Sequence, residues 1–365
     1  MLEGLDVLFL DALRHTPHPT HSTVERSLRY VEQLRPRRAF FTPLEEIPAG
    51  FGPSALTVGN FDGVHLGHAR IFHEVMEIAR ANGWRAMALT FHPHPAQVVA
   101  PDRVPRLLTT LGARLSLIEQ RGLDGALVLP FTAEVARLEP EEFVRAILVE
   151  KLGVRAAVVG ANFRFGHDQT GDVKTLESLG HQYRFSVGVV GPVCRRGQLV
   201  SSSVIRRLVA EGRVSRARQL LGRPFGVEGR VVPGHGVGAR QTVPTLNLAP
   251  DTEVLPARGV YLTCTLDPAS GCRWPSLTNI GYRPTFGGAE LSVETFLLRP
   301  LEGLSPARLE VTFWRRVRDE MKFPTPEALR AQIFRDVATA EKFFRRLRAE
   351  QILHPEIPTT KERIS

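Results

Sequence analysis

The amino-acid sequence predicts two domains of different class, an α/β doubly wound domain followed by a six-stranded antiparallel barrel with a terminal helix. Three observations predict it. The chain has 365 residues, too long for one ordinary domain and suited to two. From residue 54 to about 193, continuous apolar runs alternate with helical periodicity. Beyond residue 222, strand signals follow one another with no helix between them.

The elements follow in chain order. Ser54–Val58 is a short apolar run ending in Gly59-Asn60, and Ile71, Val75, Ile78 and Ala79 then recur at helical spacing. Ala86–Phe91 is a second run, stopped by Pro93 and Pro95, and Gly125–Phe131 a third. Glu139-Pro140-Glu141-Glu142 is an acidic helix start leading to Leu152. Ala156–Gly160 and Phe185–Val190 are the fourth and fifth runs. Strands that are apolar throughout, with helices between, indicate a parallel sheet covered on both faces. A basic helical stretch, Val204 to Leu221, comes next. Gly226–Val232, Val243–Leu248, Gly259–Leu266, Ser276–Gly281, Leu291–Leu298 and Leu309–Val317 then suggest an antiparallel barrel. A last amphipathic helix begins near Thr325-Pro326-Glu327 and carries Leu329, Ile333, Val337 and Phe343-Phe344. The expected division is an N-terminal extension over 1–35, an α/β domain over 36–205, a linking helix over 206–221, the barrel domain over 222–350 and a tail over 351–365.

Composition narrows the chemistry. Apolar residues make up 43% and charged residues 23%, a globular balance. No apolar run approaches the roughly 18–20 residues that cross a bilayer, so no membrane partner is expected. The start, Met1 to Arg14, lacks a basic n-region and does not resemble a signal peptide. Cys194, Cys264 and Cys272 form no CxxC pair, which points to a reducing, cytoplasmic compartment. The net charge is +9, yet only five of the 47 basic residues are lysine. Arginine forks suit phosphate, although most such residues belong to a solvated surface. No GxxxxGK[ST] occurs, which excludes a P-loop. The basic segment Arg206, Arg207, Arg213, Arg216 and Arg218 has no interleaved aromatic residue to stack bases, so no nucleic-acid partner is expected. His15, His18 and His21 form a loose run better suited to a solvated segment than to a metal clasp.

The strongest motif is Gly59-Asn60-Phe61-Asp62-Gly63-Val64-His65-Leu66-Gly67-His68, at the end of the first strand and the opening of the first helix. That is the phosphate position of doubly wound folds. His65 and His68 lie three apart on one face of the first helical turn. Two imidazoles beside free backbone N–H groups can hold a triphosphate and stabilise charge developing on its α-phosphate. Phe91-His92-Pro93-His94-Pro95 ends the second strand, and Gly160-Ala161-Asn162-Phe163-Arg164-Phe165-Gly166 ends the fourth. In the latter, Phe163 and Phe165 alternate with Asn162 and Arg164, so the phenylalanines suit a core and the polar pair the other face. Ser201-Ser202-Ser203-Val204-Ile205-Arg206 starts a helix, where the serines serve equally as caps or as phosphate ligands.

In the barrel domain, Gly229, Gly234, Gly236 and Gly238 make a glycine-rich flap, of the kind that can cover phosphates with backbone N–H groups. Thr245 and Asn247 are two apart in a predicted strand, so both side-chain oxygens leave one face, as Mg²⁺ would require. Asn279-Ile280-Gly281-Tyr282-Arg283-Pro284-Thr285-Phe286 and Val293-Glu294 follow.

The HxGH turn resembles that of the nucleotidyltransferase superfamily, and GNFDGVHLGH resembles the adenylyltransferase module of bacterial bifunctional riboflavin kinase/FAD synthetases. The serine-rich helix start is similar to that family's S-S-T-x-I-R. The flap, Pro-Thr-x-Asn and the Val-Glu strand come in the order of the flavokinase barrel. The resemblance covers about residues 37–348. It implies a Rossmann-like HxGH nucleotidyltransferase domain and a flavokinase β-barrel that turn riboflavin, through FMN, into FAD with ATP as co-substrate and Mg²⁺ as cofactor. By the same resemblance, Gly59, Asn60, Phe61, Ser201, Ser202 and Arg206 bind ATP around the catalytic His65 and His68, and Asn162 and Arg164 lie on the flavin side. Gly234, Gly236, Gly238 and Thr245 hold the kinase's ATP, Thr245 and Asn247 its metal, and Arg318 lies near its flavin. Glu294 is then the base that takes a proton from the riboflavin 5′-hydroxyl; from the strand pattern alone, a solvated glutamate. Asn162 replaces the family's usual Asp, Gln169 its frequent Arg, and Gly238-Ala239-Arg240-Gln241-Thr242-Val243 departs from its flap. Rival readings are a transferase for another phosphate, a flavin-binding regulator and a basic nucleic-acid-binding protein. Oligomeric state is left open.

Overall fold

The structure, a computed structural model, describes residues 39–41, 51–233, 245–285 and 288–349, with backbone alone for 39–41, 282–285, 288–291 and 348–349. The His15–His18–His21 run, the N-terminal extension, the C-terminal tail over 351–365 and the flap glycines 234, 236 and 238 lie outside the described residues. The chain divides into two compact units, the first running to Ile205 and including Leu220–Gly222, the second comprising Arg206–Gln219 and the chain from Arg223 onward.

The first unit is built on a parallel sheet. Its strands are β1 (Ala39–Phe41), β2 (Ser54–Val58), β3 (Arg85–His92), β4 (Gly125–Pro130), β5 (Val154–Gly160) and β6 (Ser186–Val190). They run in the order β1-β4-β3-β2-β5-β6, with every pairing parallel. The five apolar runs all become strands; β1, against β4 at the sheet edge, is an addition that three residues were too few to signal. Strand alternation splits the core into two clusters. Leu56, Val58, Leu89, Leu127 and Val159 face Ile147, Leu148 and Leu176, while Ala55, Ala88, Val128 and Val158 face Phe72, Val75 and Ile118. Both faces are therefore dry, as unbroken apolar strands require.

Helix α1 (Leu66–Asn82) follows β2 and ends at Gly83, whose φ of +67° suits a left-handed cap. Short α2 (Pro95–Val99) follows β3, and α3 (Leu111–Glu119) precedes β4, capped by the Thr110 hydroxyl on the Ala113 N–H. After α4 (Ala133–Arg137), the helix predicted from Pro140 forms only one α turn, α5 (Pro140–Glu142). It then widens into a π-helix over Phe143–Lys151. The wider turn sends Phe143, Val144, Ile147 and Leu148 into the core together. Helix α6 (Val173–Tyr183) leads to β6, and a hairpin of β7 (Cys194–Arg195) and β8 (Gln198–Leu199) turns at Arg196 and Gly197, both at positive φ.

The basic stretch predicted as one linking helix forms two, α7 (Ser202–Ala210) and α8 (Val214–Leu221). Gly212 breaks it at φ +73°, and a Cβ there would lie 2.8 Å from the Tyr261 hydroxyl.

The second unit is a closed antiparallel barrel of β9 (Phe225–Val232), β10 (Leu246–Pro250), β11 (Gly259–Leu266), β12 (Arg273–Thr285), β13 (Gly288–Leu297) and β14 (Arg308–Arg318), in the order β10-β13-β12-β11-β14-β9. Tyr261, Phe313, Val311 and Val227 fill its interior beside a ladder of buried hydroxyls. Thr263 touches Ser276 and Thr278 at 2.8 Å, Ser276 touches Thr265 at 2.8 Å, and Thr278 touches Thr295 at 3.0 Å. Each hydroxyl thus answers another, as burial demands. Outside, Val260, Leu262 and Leu277 pack on Ala340, Phe344 and Leu347 of the terminal helix α9 (Pro326–Ala349). No helix among the described residues is long and apolar enough to cross a membrane.

Candidate functional site

In the parallel sheet, β2 and β5 are neighbours, and the connection leaving β2 runs to β3 on one side while the connection leaving β5 runs to β6 on the other. The loops after β2 and β5 part at their carboxyl ends, and that switch point is where such sheets bind ligands. The HxGH turn follows β2, and the Asn162–Gly166 segment follows β5.

The turn is anchored by the Gly59 N–H, which donates to the Leu89 carbonyl at 3.0 Å. It then passes through two unusual conformations, Phe61 at φ 47° and Val64 at φ 38°. A non-glycine residue there costs about 1–3 kcal/mol and persists where surrounding contacts impose it. The His65 imidazole caps α1, its Nδ1 accepting the His68 N–H at 3.3 Å. A neutral His65 therefore carries its proton on Nε2. The two imidazoles stack with centroids 3.6 Å apart and planes 16° from parallel, closer than a shared helix face alone implies. Phe61 meets His68 edge-on at 5.3 Å and Phe72 at 5.0 Å. Asn60 Oδ1 is enclosed with no hydrogen-bond donor, an acceptor that a ligand N–H or O–H would satisfy.

Ser202 donates its hydroxyl proton to the Asp62 carbonyl at 2.8 Å, which brings the serine-rich helix start against the turn. The Ser201 hydroxyl accepts the Val204 N–H at 3.3 Å as the cap of α7, and Arg206 follows one turn later. Both serines thus have structural duties beside any role towards phosphate. After β5, Phe163 and Phe165 stack at 5.4 Å and join the core, whereas Asn162 and Arg164 are exposed. Arg164 reaches Asp172 at 3.9 Å, and Asp172 caps α6 through the Thr175 N–H at 2.9 Å. That amide hydrogen bond holds the Asp172 carboxyl below the usual carboxylate range.

Two residues escaped the sequence reading. Asp62 is buried, and its carboxylate accepts the Leu108 N–H at 2.9 Å, the Thr109 N–H at 3.1 Å and the Thr109 hydroxyl at 3.2 Å. Its place inside the motif was the only signal. Arg114, also buried, reaches the same turn from α3, and no local pattern marks it.

In the barrel, Asn247 on β10 pairs in register with Glu294 on β13, which pairs in turn with Asn279 on β12. Facing residues of adjacent strands share a side, so the predicted metal ligand and the predicted base stand on one rung. Asn247 is buried and Glu294 partly so, while Thr245 is exposed just before β10. Amide, hydroxyl and carboxylate oxygens are the donor set that hard Mg²⁺ prefers, so these residues fit that ion. Arg318 is committed to α9: its Nε and Nη2 both reach Asp336 Oδ2 at 2.9 Å, and its Nη1 donates to the Asp319 carbonyl at 3.0 Å.

A histidine-pair turn at the switch point of an α/β sheet, followed by a closed barrel with a polar rung, defines an enzyme class with two nucleotide-handling units. Residues 49–204 match the FAD synthetase family and residues 221–344 the riboflavin kinase family. Bifunctional riboflavin kinase/FMN adenylyltransferase from Escherichia coli strain K12 is 35% identical over 289 residues, 79% of this chain and 92% of that protein. Its counterpart from Pseudomonas fluorescens is 36% identical over 291 residues, 78% of this chain and 91% of that one. The chain belongs to this bifunctional family. The crystal structure of a macrolide-efflux protein from Streptococcus pneumoniae, 24% identical, superposes with a TM-score of 0.74 over 83% of this chain and 98% of that one, a likeness of fold.

Proposed function

We propose that the chain makes FAD in two steps, phosphorylating riboflavin with ATP to FMN in the barrel unit and adenylating FMN with a second ATP in the α/β unit, releasing pyrophosphate. The stacked His65–His68 pair at the switch point carries the second assignment. In that step an FMN phosphate oxygen attacks the α-phosphorus of ATP and the bond to pyrophosphate breaks. His65 and His68 offset the charge that develops on the α-phosphate, and Gly59, Asn60 and Phe61 with Ser201, Ser202 and Arg206 seat the nucleotide. Asn162 and Arg164 lie on the flavin side.

The Asn247–Glu294 rung supports the kinase assignment. Glu294 takes the proton of the riboflavin 5′-hydroxyl as that oxygen attacks the γ-phosphorus, the bond from the γ-phosphorus to the β,γ-bridging oxygen breaks, and ADP leaves. Positioning supplies most of the rate in phosphoryl transfer, and the base adds modestly. Thr245 and Asn247 would hold Mg²⁺, which when bound neutralises phosphate charge. Gly234, Gly236 and Gly238, outside the described residues, are assigned to the ATP of the kinase by the family resemblance, and Arg318, fixed by Asp336, lies in the segment assigned to the flavin. The division into domains at 36–205 and 222–350, joined over 206–221, is part of this proposal, as is a cytoplasmic location, supported by three free cysteines.

The test is to incubate the pure protein with riboflavin, ATP and Mg²⁺ and separate the flavins by chromatography. Wild type yields FMN and FAD. Glu294→Ala slows FMN formation about a hundredfold or more and keeps FMN-to-FAD conversion, whereas His68→Ala keeps FMN formation and slows its conversion to FAD. Absence of both products from wild type would favour a flavin-binding regulator instead.

A further inference from the structure

Beside its contacts with Leu89, Thr90 and Ser202, the turn that presents His65 and His68 is gripped at Asn60, Asp62 and Gly63 by one stretch of chain, residues 108–114. Leu108 and Thr109 place their amides on the Asp62 carboxylate, and the Thr109 hydroxyl also accepts the Gly63 N–H at 3.2 Å. On the other side of Phe61, Arg114 closes the grip. Its Nη1 donates to the Asn60 carbonyl at 2.7 Å and its Nη2 to the Phe91 carbonyl at 3.3 Å. Asn60 lies two residues beyond β2 and Phe91 near the end of β3, so one guanidinium ties together two strand ends beside the switch point.

The residue type matters. Arg114 is only 3% exposed. Burial draws its pKa down to about 10, opposed by the Asp62 charge, which still leaves it cationic at neutral pH. A buried cation is costly and rare unless its donors are used, and here the two terminal nitrogens are used while Nε has no partner. A rigid fork can address two carbonyls at once, whereas a lysine presents one ammonium centre. Docking of α3 needs no such residue, because Thr110 caps the helix and Leu115 and Ile118 pack it.

We infer that Arg114 is a positioning residue for adenylyl transfer, which acts through the Asn60 and Phe91 carbonyls to hold the strained turn and thereby the histidine pair where the α-phosphate reacts. The inference rests on the adenylyltransferase reading of the HxGH turn. A small misplacement of groups that act on a developing charge lowers kcat more than ground-state binding.

The test uses the full chain with Arg114→Met, Arg114→Lys and His68→Ala, following FMN adenylylation and riboflavin phosphorylation in the same preparations. Arg114→Met is expected to lower the adenylylation kcat about tenfold or more with KM for ATP within about threefold, and to leave the kinase unchanged. Arg114→Lys, which keeps the charge and one donor direction, is expected to recover part of that loss. Arg114→Met at the wild-type rate beside an inactive His68→Ala would overturn the inference and spare the HxGH reading. An active His68→Ala would overturn that reading itself. A defect confined to KM, or an Arg114→Lys variant no better than Arg114→Met, would reduce Arg114 to a structural residue.

Discussion

At position 67 a side chain would begin 3.0 Å from His65 Cε1 and 3.1 Å from its Nδ1, so the glycine of HxGH is room for the first imidazole. Its backbone lies in ordinary helix, and space rather than φ decides the residue. Gly67→Ala should therefore push the His65 ring off His68 and lower FMN adenylylation about tenfold, with helix stability little changed. Steady-state kinetics with a circular dichroism melt check both parts. Gly63 is different, for it combines φ +79° with a Cβ that would lie 2.8 Å from Leu108. The histidines were legible because they are three apart and follow an apolar run. Their stacking was not, because it depends on where Phe61 and Gly67 let the rings go.

Elements show which alternations matter. Along β11, β12 and β13 one face gives the hydroxyl ladder and the other gives the Asn247–Glu294–Asn279 rung or the contact with α9. Thr278 sits mid-ladder between Thr263 and Thr295. Thr278→Val keeps the shape and removes one shared partner, so it should destabilise the barrel by about 1–3 kcal/mol, read as a lower denaturation midpoint with an unchanged slope. On the opposite face, Asn247→Ala should raise the Mg²⁺ needed for half-maximal riboflavin phosphorylation and leave adenylylation alone. A metal titration of both rates decides it. Nearly every strand and its alternation could be traced in the sequence. The π-helix at Phe143–Lys151 could not, since its residues carry the same apolar spacing as an ordinary helix.

For the whole molecule, each unit has its own core, and the proposed function gives each its own reacting residues. A mixture of Glu294→Ala and His68→Ala chains should therefore convert riboflavin to FAD, each variant supplying the step that the other lacks. FMN is then a freely exchanging intermediate, and its appearance before FAD in a time course checks this. FMN accumulation in the mixture without FAD would show that the two steps need one intact chain.

Local signals in the chain were enough for the two fold classes and their order, because apolar periodicity and short spacings are local properties. Tertiary structure alone decided which distant groups share a site. Asp62 and Leu108 are 46 residues apart, Arg114 and Asn60 54, and Ser202 and Asp62 140. It also decided that Arg318 pairs with the buried Asp336. Those contacts arise from the need to satisfy every polar group once the chain is buried, and that need has no period in the sequence.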